Sequence, residues 1–123
     1  MTVLKRSLRR RIANTWRHNR RRRGCAIDLT PDGFMFTFRW RKTPMRWADV
    51  TRIDAGIRDC IAFELLHVVL FAGDVKVDIE ELDDGFRQFE YALLERWPQI
   101  RPQWDALLKA GTREPQYETL WRR

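Results

Sequence analysis

The hydrophobic pattern of this chain changes period once, and that change limits the fold more than any other feature. Phe34, Phe36, Phe38 and Trp40 recur every second residue, as do Ile53, Ala55 and Ile57, and Val75, Val77 and Ile79. A period of two sends alternate side chains to opposite faces of a strand. From Phe86 onward the spacing becomes helical: Phe86, Phe89, Leu93, Leu94 and Trp97 fall at i, i+3, i+7, i+8 and i+11. Strands followed by helices predict an α+β fold, an antiparallel sheet of about five to seven strands with C-terminal helices on its apolar face.

The strands are expected at Ala26–Thr30, Phe34–Arg41, Val50–Arg58, Glu64–Phe71 and Val75–Glu80. Pro31-Asp32-Gly33 and Ala72-Gly73-Asp74 supply turns, and Lys42-Thr43-Pro44 reads as a break. The run Glu64–Phe71 is too apolar for a half-exposed face. Asp83 or Asp84 is placed to cap the first helix, which Pro98 ends, and a second helix is expected over about Pro102 to Ala110. Tyr117–Trp121 reads as an edge strand. Trp40, Trp97 and Trp104 fall on faces expected to point inward.

Charge divides the chain differently. Ten of the 24 Lys+Arg residues and none of the 17 Asp+Glu residues lie in residues 1–23, so residues 24–123 hold 14 basic against 17 acidic groups, about −3, under an overall +7. Val3, Leu4, Leu8, Ile12 and Trp16 form one apolar stripe at helical spacing, predicting an amphipathic helix over about residues 3–18. Gly24 permits a backbone break. The expected organisation is therefore a basic arm, 1–23, and a single α+β domain, 24–123. With 44% hydrophobic residues the domain has enough apolar material for one core.

A basic arm on a mildly acidic body is an electrostatic tether for a polyanion. The candidate contact residues are Arg9, Arg10, Arg11, Arg20, Arg21, Arg22 and Arg23, with Trp16 as an apolar anchor. Arg39, Arg41, Lys42 and Arg46 extend the positive surface around one strand end. The expected partner is an acidic protein or an anionic membrane surface. Nucleic acid held by its phosphates is the alternative, and binding of that kind falls steeply with salt. The stripe also has a structural use, packing Leu8, Ile12 and Trp16 onto the body with the arginines in water.

Other chemistry is thinly represented. Histidine occurs at His18 and His67, and His67, inside an apolar strand, reads as a buried residue satisfied by a hydrogen bond. Glu80, Glu81, Asp83 and Asp84 match no calcium-loop spacing and read as the start of a helix. An enzyme built on Asp49, Asp59 or Glu81 would need those carboxylates to meet in a pocket. Cys25 and Cys60 have no metal-ligand spacing and imply no disulfide scaffold. No catalytic, metal or cofactor site is expected, and a cytoplasmic protein, peripheral to a membrane at most, is the expected location. An acid-free, arginine-rich start also has the composition of an organelle transit peptide.

The segment Trp47-Ala48-Asp49-Val50-Thr51-Arg52-Ile53, then Asp59, Glu80-Glu81, Gly85-Phe86, Trp104 and Thr119-Leu120-Trp121-Arg122-Arg123, resembles a group of short bacterial proteins of unassigned function, over residues 33–123. The tryptophan, acid and aliphatic spacing from Trp47 is also similar to one strand of bacterial pleckstrin-homology-like domains, which implies a sheet closed by a C-terminal helix. Members of that family that bind phosphoinositides carry basic residues in the first hairpin loop. Here that loop is Thr30-Pro31-Asp32-Gly33, with an acid. By analogy of size, an immunity-type protein that plugs a toxin is a further class.

Overall fold

The computed structural model describes residues 25–59, 64–110 and 116–123. The basic arm with its predicted helix, Gly24, Cys60 and Gly111 lie outside the described residues. Seven strands and two helices follow in order: β1 (Ala26–Thr30), β2 (Gly33–Phe38), β3 (Arg41–Arg46), β4 (Arg52–Asp59), β5 (Glu64–Ala72), β6 (Val75–Glu80), α1 (Phe86–Arg96), α2 (Arg101–Ala110) and β7 (Gln116–Arg122). Short 3-10 turns at Trp47–Asp49 and Pro98–Ile100 join β3 to β4 and α1 to α2. The α+β class stands, with all strand pairs antiparallel.

The strands divide into two sheets, β1-β2-β3 and β6-β5-β4-β7. β7 follows the helices and returns to pair with β4 as an edge strand, where the sequence places it. The apolar alternation is realised: Ile53, Ala55 and Ile57 of β4, Leu66, Val68 and Leu70 of β5, and Val77 and Ile79 of β6 point into one core with Ile27, Phe34, Phe36 and Met45 of the small sheet. α1 contributes Phe86, Phe89, Leu93 and Leu94, and α2 contributes Trp104. The indole N–H of Trp104 donates to Glu90 Oε2 at 2.9 Å, so α2 is fixed to α1 by the polar atom its burial would otherwise strand. Aromatic rings join the layers: Phe34 meets Phe89 at 5.2 Å and Trp47 at 5.1 Å, and Trp47 meets Trp97 at 5.8 Å, which in turn meets Trp121 at 5.3 Å.

Three expectations about local structure are corrected. Phe34–Arg41 is not one strand: it turns at Arg39-Trp40, and Lys42-Thr43-Pro44 continues as β3 rather than breaking the run. Pro44 is tolerated because β3 is an edge strand, where a missing N–H need not leave a gap in the ladder. Trp40 sits in that turn and is 87% exposed, not inward. Asp83 and Asp84 do not cap α1, because Gly85, in the left-handed region at φ 86°, takes the N-cap position without a side-chain bond.

The acidic segment after β6 ties the sheets together instead. Glu81 N–H donates to Leu66 O, and Leu66 N–H donates to Glu81 Oε1 at 2.8 Å. Asp83 Oδ2 accepts from Glu80 N–H at 2.9 Å. Ile27 N–H then donates to Asp84 O at 2.7 Å, and Asp84 N–H to Cys25 O at 3.2 Å, joining the first strand of one sheet to the end of the other. Glu80, Glu81 and Asp83 are accordingly buried.

Gly85 makes this junction possible. A Cβ there would stand 2.1 Å from Ile27 O, and the positive φ would strain any L side chain. Gly85→Ala is expected to cost about 2–4 kcal/mol, the sum of backbone strain and steric overlap. The change would appear as a lower denaturant midpoint with an unaltered slope.

Candidate functional site

Two surfaces gather the groups that carry charge or aromatic character. The first is the β2–β3 hairpin. Phe38 and Arg41 are paired across it, so Arg39 and Trp40 form a two-residue loop. Such loops need positive φ at a central residue, usually supplied by glycine or asparagine, and here Arg39 adopts φ 59°. A non-glycine residue in the left-handed region costs energy that packing at an exposed tip does not recover, and such strain gathers at functional positions.

The tip presents a compact set of side chains. Trp40 is almost fully exposed, Phe38 is 41% exposed, and Arg39, Arg41 and Lys42 are exposed beside them. The Arg39 guanidinium lies 5.6 Å from the centre of the Phe38 ring. From Gly33 to Arg46 the hairpin contains four cations and no carboxylate. Arg46 does not join the tip: it closes the opposite end of β3, about 17 Å along the strand. There it pairs with Asp32 at 3.4 Å in an exposed contact. The structure thus brings Arg39, Arg41 and Lys42 together and separates Arg46, while Arg9, Arg10, Arg11, Trp16 and Arg20–Arg23 lie outside the described residues. Trp40 was missed because the alternation from Phe34 runs straight through the turn.

The second surface is the outer face of the four-stranded sheet, opposite the core. One row across it reads Glu80, His67, Gly56 and Tyr117 on β6, β5, β4 and β7. Gly56 has no side chain to separate its neighbours, and the His67 and Tyr117 rings meet edge-on at 6.3 Å. His67 is buried, as expected, and its Nδ1 lies 3.2 Å from Asp78 Oδ1. Its Nε2 is 3.9 Å from Glu80 Oε2 and has no hydrogen-bond partner among the described residues. Burial pushes the Tyr117 hydroxyl up, with the Asp78 charge adding to it and Arg58 opposing.

The adjacent row carries a hydrogen-bonded lock that the sequence did not announce. Asp54 accepts from Arg52 Nε at 2.9 Å and from an Arg52 terminal nitrogen at 2.6 Å, and from the Thr119 hydroxyl at 2.8 Å. Burial opposes ionisation of Asp54, but the bonds from Arg52 and Thr119 and the charges of Arg52 and Arg122 outweigh it and hold the carboxyl below its ordinary value. The lock sits beside a register shift between Ile53 and Asp54, where Leu120 turns into the core as the extra residue of β7.

An open cleft of about 530 Å³ lies between the Arg46 end of β3 and the β5–β6 turn, lined by Met45, Arg46, Asp49, Ala72, Val75 and Arg123 among others. Asp49 reaches this cleft, whereas Glu81 stands at the opposite end of β6 with its carboxylate on the Leu66 N–H. The two carboxylates considered for catalysis do not meet, and the Asp59 side chain lies outside the described residues. No cluster of three or more metal-ligating groups occurs among the described residues. Among them, too, no helix is long and apolar enough to cross a membrane.

Comparison with protein-family models, with curated proteins and with solved structures gives no match.

The Asp54 lock sets a pH dependence. A carboxyl depressed in the folded state adds stability above its unfolded pKa of about 3.9, and that stability is lost as pH falls through the folded value. Asp54→Asn is expected to lose about 1–3 kcal/mol at about pH 7 and a smaller amount at about pH 3. Urea unfolding at the two pH values reads this directly.

Proposed function

We propose that this protein is a non-enzymatic binding module, of bacterial type, that docks through cationic elements on an acidic protein or anionic surface. The observation that carries the reading is the β2–β3 tip: an indole 87% exposed, flanked by Arg39, Arg41 and Lys42, on a hairpin free of carboxylates. Single exposed apolar residues are ordinary, but a tryptophan held in a strained tight turn between cations has no packing reason to be there. An amphipathic indole suits an interface that is apolar on one side and wet on the other. Each cation near an anionic surface adds about 1 kcal/mol, so the tip alone gives weak attachment. The ten basic residues of positions 1–23 supply the larger charge.

A pleckstrin-homology-like relationship belongs to the same proposal. It is supported by the residues from Trp47 to Ile53 and by seven antiparallel strands in two sheets. In this chain the basic tip is the second hairpin, whereas the first carries Asp32. The exposed indole also favours a second reading, association with single-stranded nucleic acid, because a base can stack on Trp40 while phosphates meet the arginines.

The test is sedimentation of the full chain with vesicles of mixed neutral and anionic lipid, beside titration with a fluorescent oligonucleotide and with an acidic peptide. Replacing Arg39, Arg41 and Lys42 by Glu, with Trp40→Ala, is expected to weaken the bound class at least about 30-fold, from lost charge and lost indole contact. Affinity that is indifferent both to these changes and to salt between low and high ionic strength would reject the proposal.

A further inference from the structure

The β2–β3 hairpin is graded along its length. Phe34 and Phe36 are 1% and 5% exposed, whereas Phe38 is 41% exposed and Trp40, in the turn, 87%. Apolar side chains thus run out of the core and continue into solvent along one strand. At about 3.3 Å per residue, Phe38 stands about 7 Å past the last buried ring, and the turn that carries Trp40 lies beyond it.

Charge sits just behind the indole. Arg41 is paired with Phe38 and Lys42 with Thr37, so both occupy the first two rows below the turn, and the Arg39 guanidinium lies 5.6 Å from the centre of the Phe38 ring. All three cations are exposed, and no carboxylate occurs between Gly33 and Arg46. From the end inward, the order is an indole, then a band of cations around a half-exposed ring, then the core.

Shape narrows the partner. A two-residue loop is convex, and the open cleft of about 530 Å³ lies at the other end of β3, against Pro44, Met45 and Arg46. A folded acidic protein would have to bring its own pocket to enclose Trp40, because a rigid flat surface touches a convex tip at few atoms. Single-stranded nucleic acid calls for a basic groove that tracks successive phosphates beside the stacked base. The described cations of the hairpin gather instead at its tip, about 17 Å from Arg46. An anionic bilayer fits both features: its interface closes around a projecting ring, and it is ordered as the tip is, apolar within and anionic outside. Tryptophan is favoured at that boundary, where the ring is apolar and the N–H meets headgroups. The projection of about 7 Å matches the depth of about 5–10 Å to which interfacial apolar groups enter.

We propose that the β2–β3 tip enters the headgroup layer of an anionic bilayer, with Trp40 at the acyl boundary, Phe38 behind it, and Arg39, Arg41 and Lys42 on lipid phosphates and carboxylates. The proposal rests on reading the hairpin as a contact for anionic surfaces, and it names the surface. Arg39, at φ 59°, holds the turn to two residues and so keeps the indole at the very end of the hairpin.

The experiment uses the full chain with vesicles of phosphatidylcholine, with or without phosphatidylserine, whose acyl chains carry bromine near the headgroup as a quencher. Trp40 emission is taken as the difference between the parent and Trp40→Phe, at lipid concentrations that bind both fully, which cancels the other tryptophans. That emission is expected to shift to the blue and to be quenched on the phosphatidylserine vesicles. Trp40→Ala is expected to weaken sedimentation with those vesicles at least about tenfold, and to leave the urea midpoint unchanged because the side chain is in solvent. Vesicle binding with Trp40 emission unshifted and unquenched overturns insertion and leaves a surface contact standing. Binding to an acidic peptide or an oligonucleotide but not to vesicles overturns it as well, and keeps the wider reading with another partner. A chain that binds vesicles, peptide and oligonucleotide equally poorly rejects both.

Discussion

Everything in this molecule is arranged around β5, a strand buried on both sides. Its even-numbered aliphatics, Leu66, Val68 and Leu70, complete the core, and its odd-numbered residues Leu65, His67 and Val69 are as deeply enclosed on the other face. A strand of that kind needs two covers. The inner one is assembled by the segment Glu80–Asp84, whose backbone and carboxylates hold β5 on one side and β1 on the other. Those contacts bring Phe34, Trp47, Phe89 and Trp97 within ring contact. On the outer face the neighbouring strands set Arg58, Tyr117, Asp54 and Asp78 beside Leu65, His67 and Val69.

Part of this was legible before any coordinates. The alternations in β4 and β6 and the helical spacing of α1 correctly locate the core, because burial of one face imposes a period that composition alone cannot mimic. The nearly continuous apolar run of β5 signals burial on both faces, and that signal holds. What could not be read has local causes. The β2–β3 turn hides in an aromatic alternation and uses an arginine where glycine or asparagine would have marked it. Pro44 reads as a breaker unless its strand is known to be an edge. Asp83 and Asp84 have the composition of a cap, but the clash a side chain would make with Ile27 O at Gly85 fixes a different geometry, visible only when β1 is in place. The Asp54 lock joins residues 65 positions apart and leaves no pattern in sequence.

The candidate surface follows from the same architecture. The small sheet presents its exposed aromatic and cationic groups at the β2–β3 tip. That tip offers exposed cations and one exposed indole, not a shaped pocket. Asp49, at the cleft, and Glu81, fixed to the β5 backbone, are too differently placed to act on one substrate. On the proposed reading, the cations held outward on this hairpin suit it to an anionic surface.

The most direct measurement is a carbon-edited nuclear Overhauser spectrum of the full-length protein with labelled Leu and Val methyl groups. The account predicts cross-peaks between the Val77 and Leu70 methyls, which pair across β6 and β5 on the core face, and none between Val77 and Val69, which faces the other way. A Val77 methyl in contact with Val69 rather than Leu70 would contradict it.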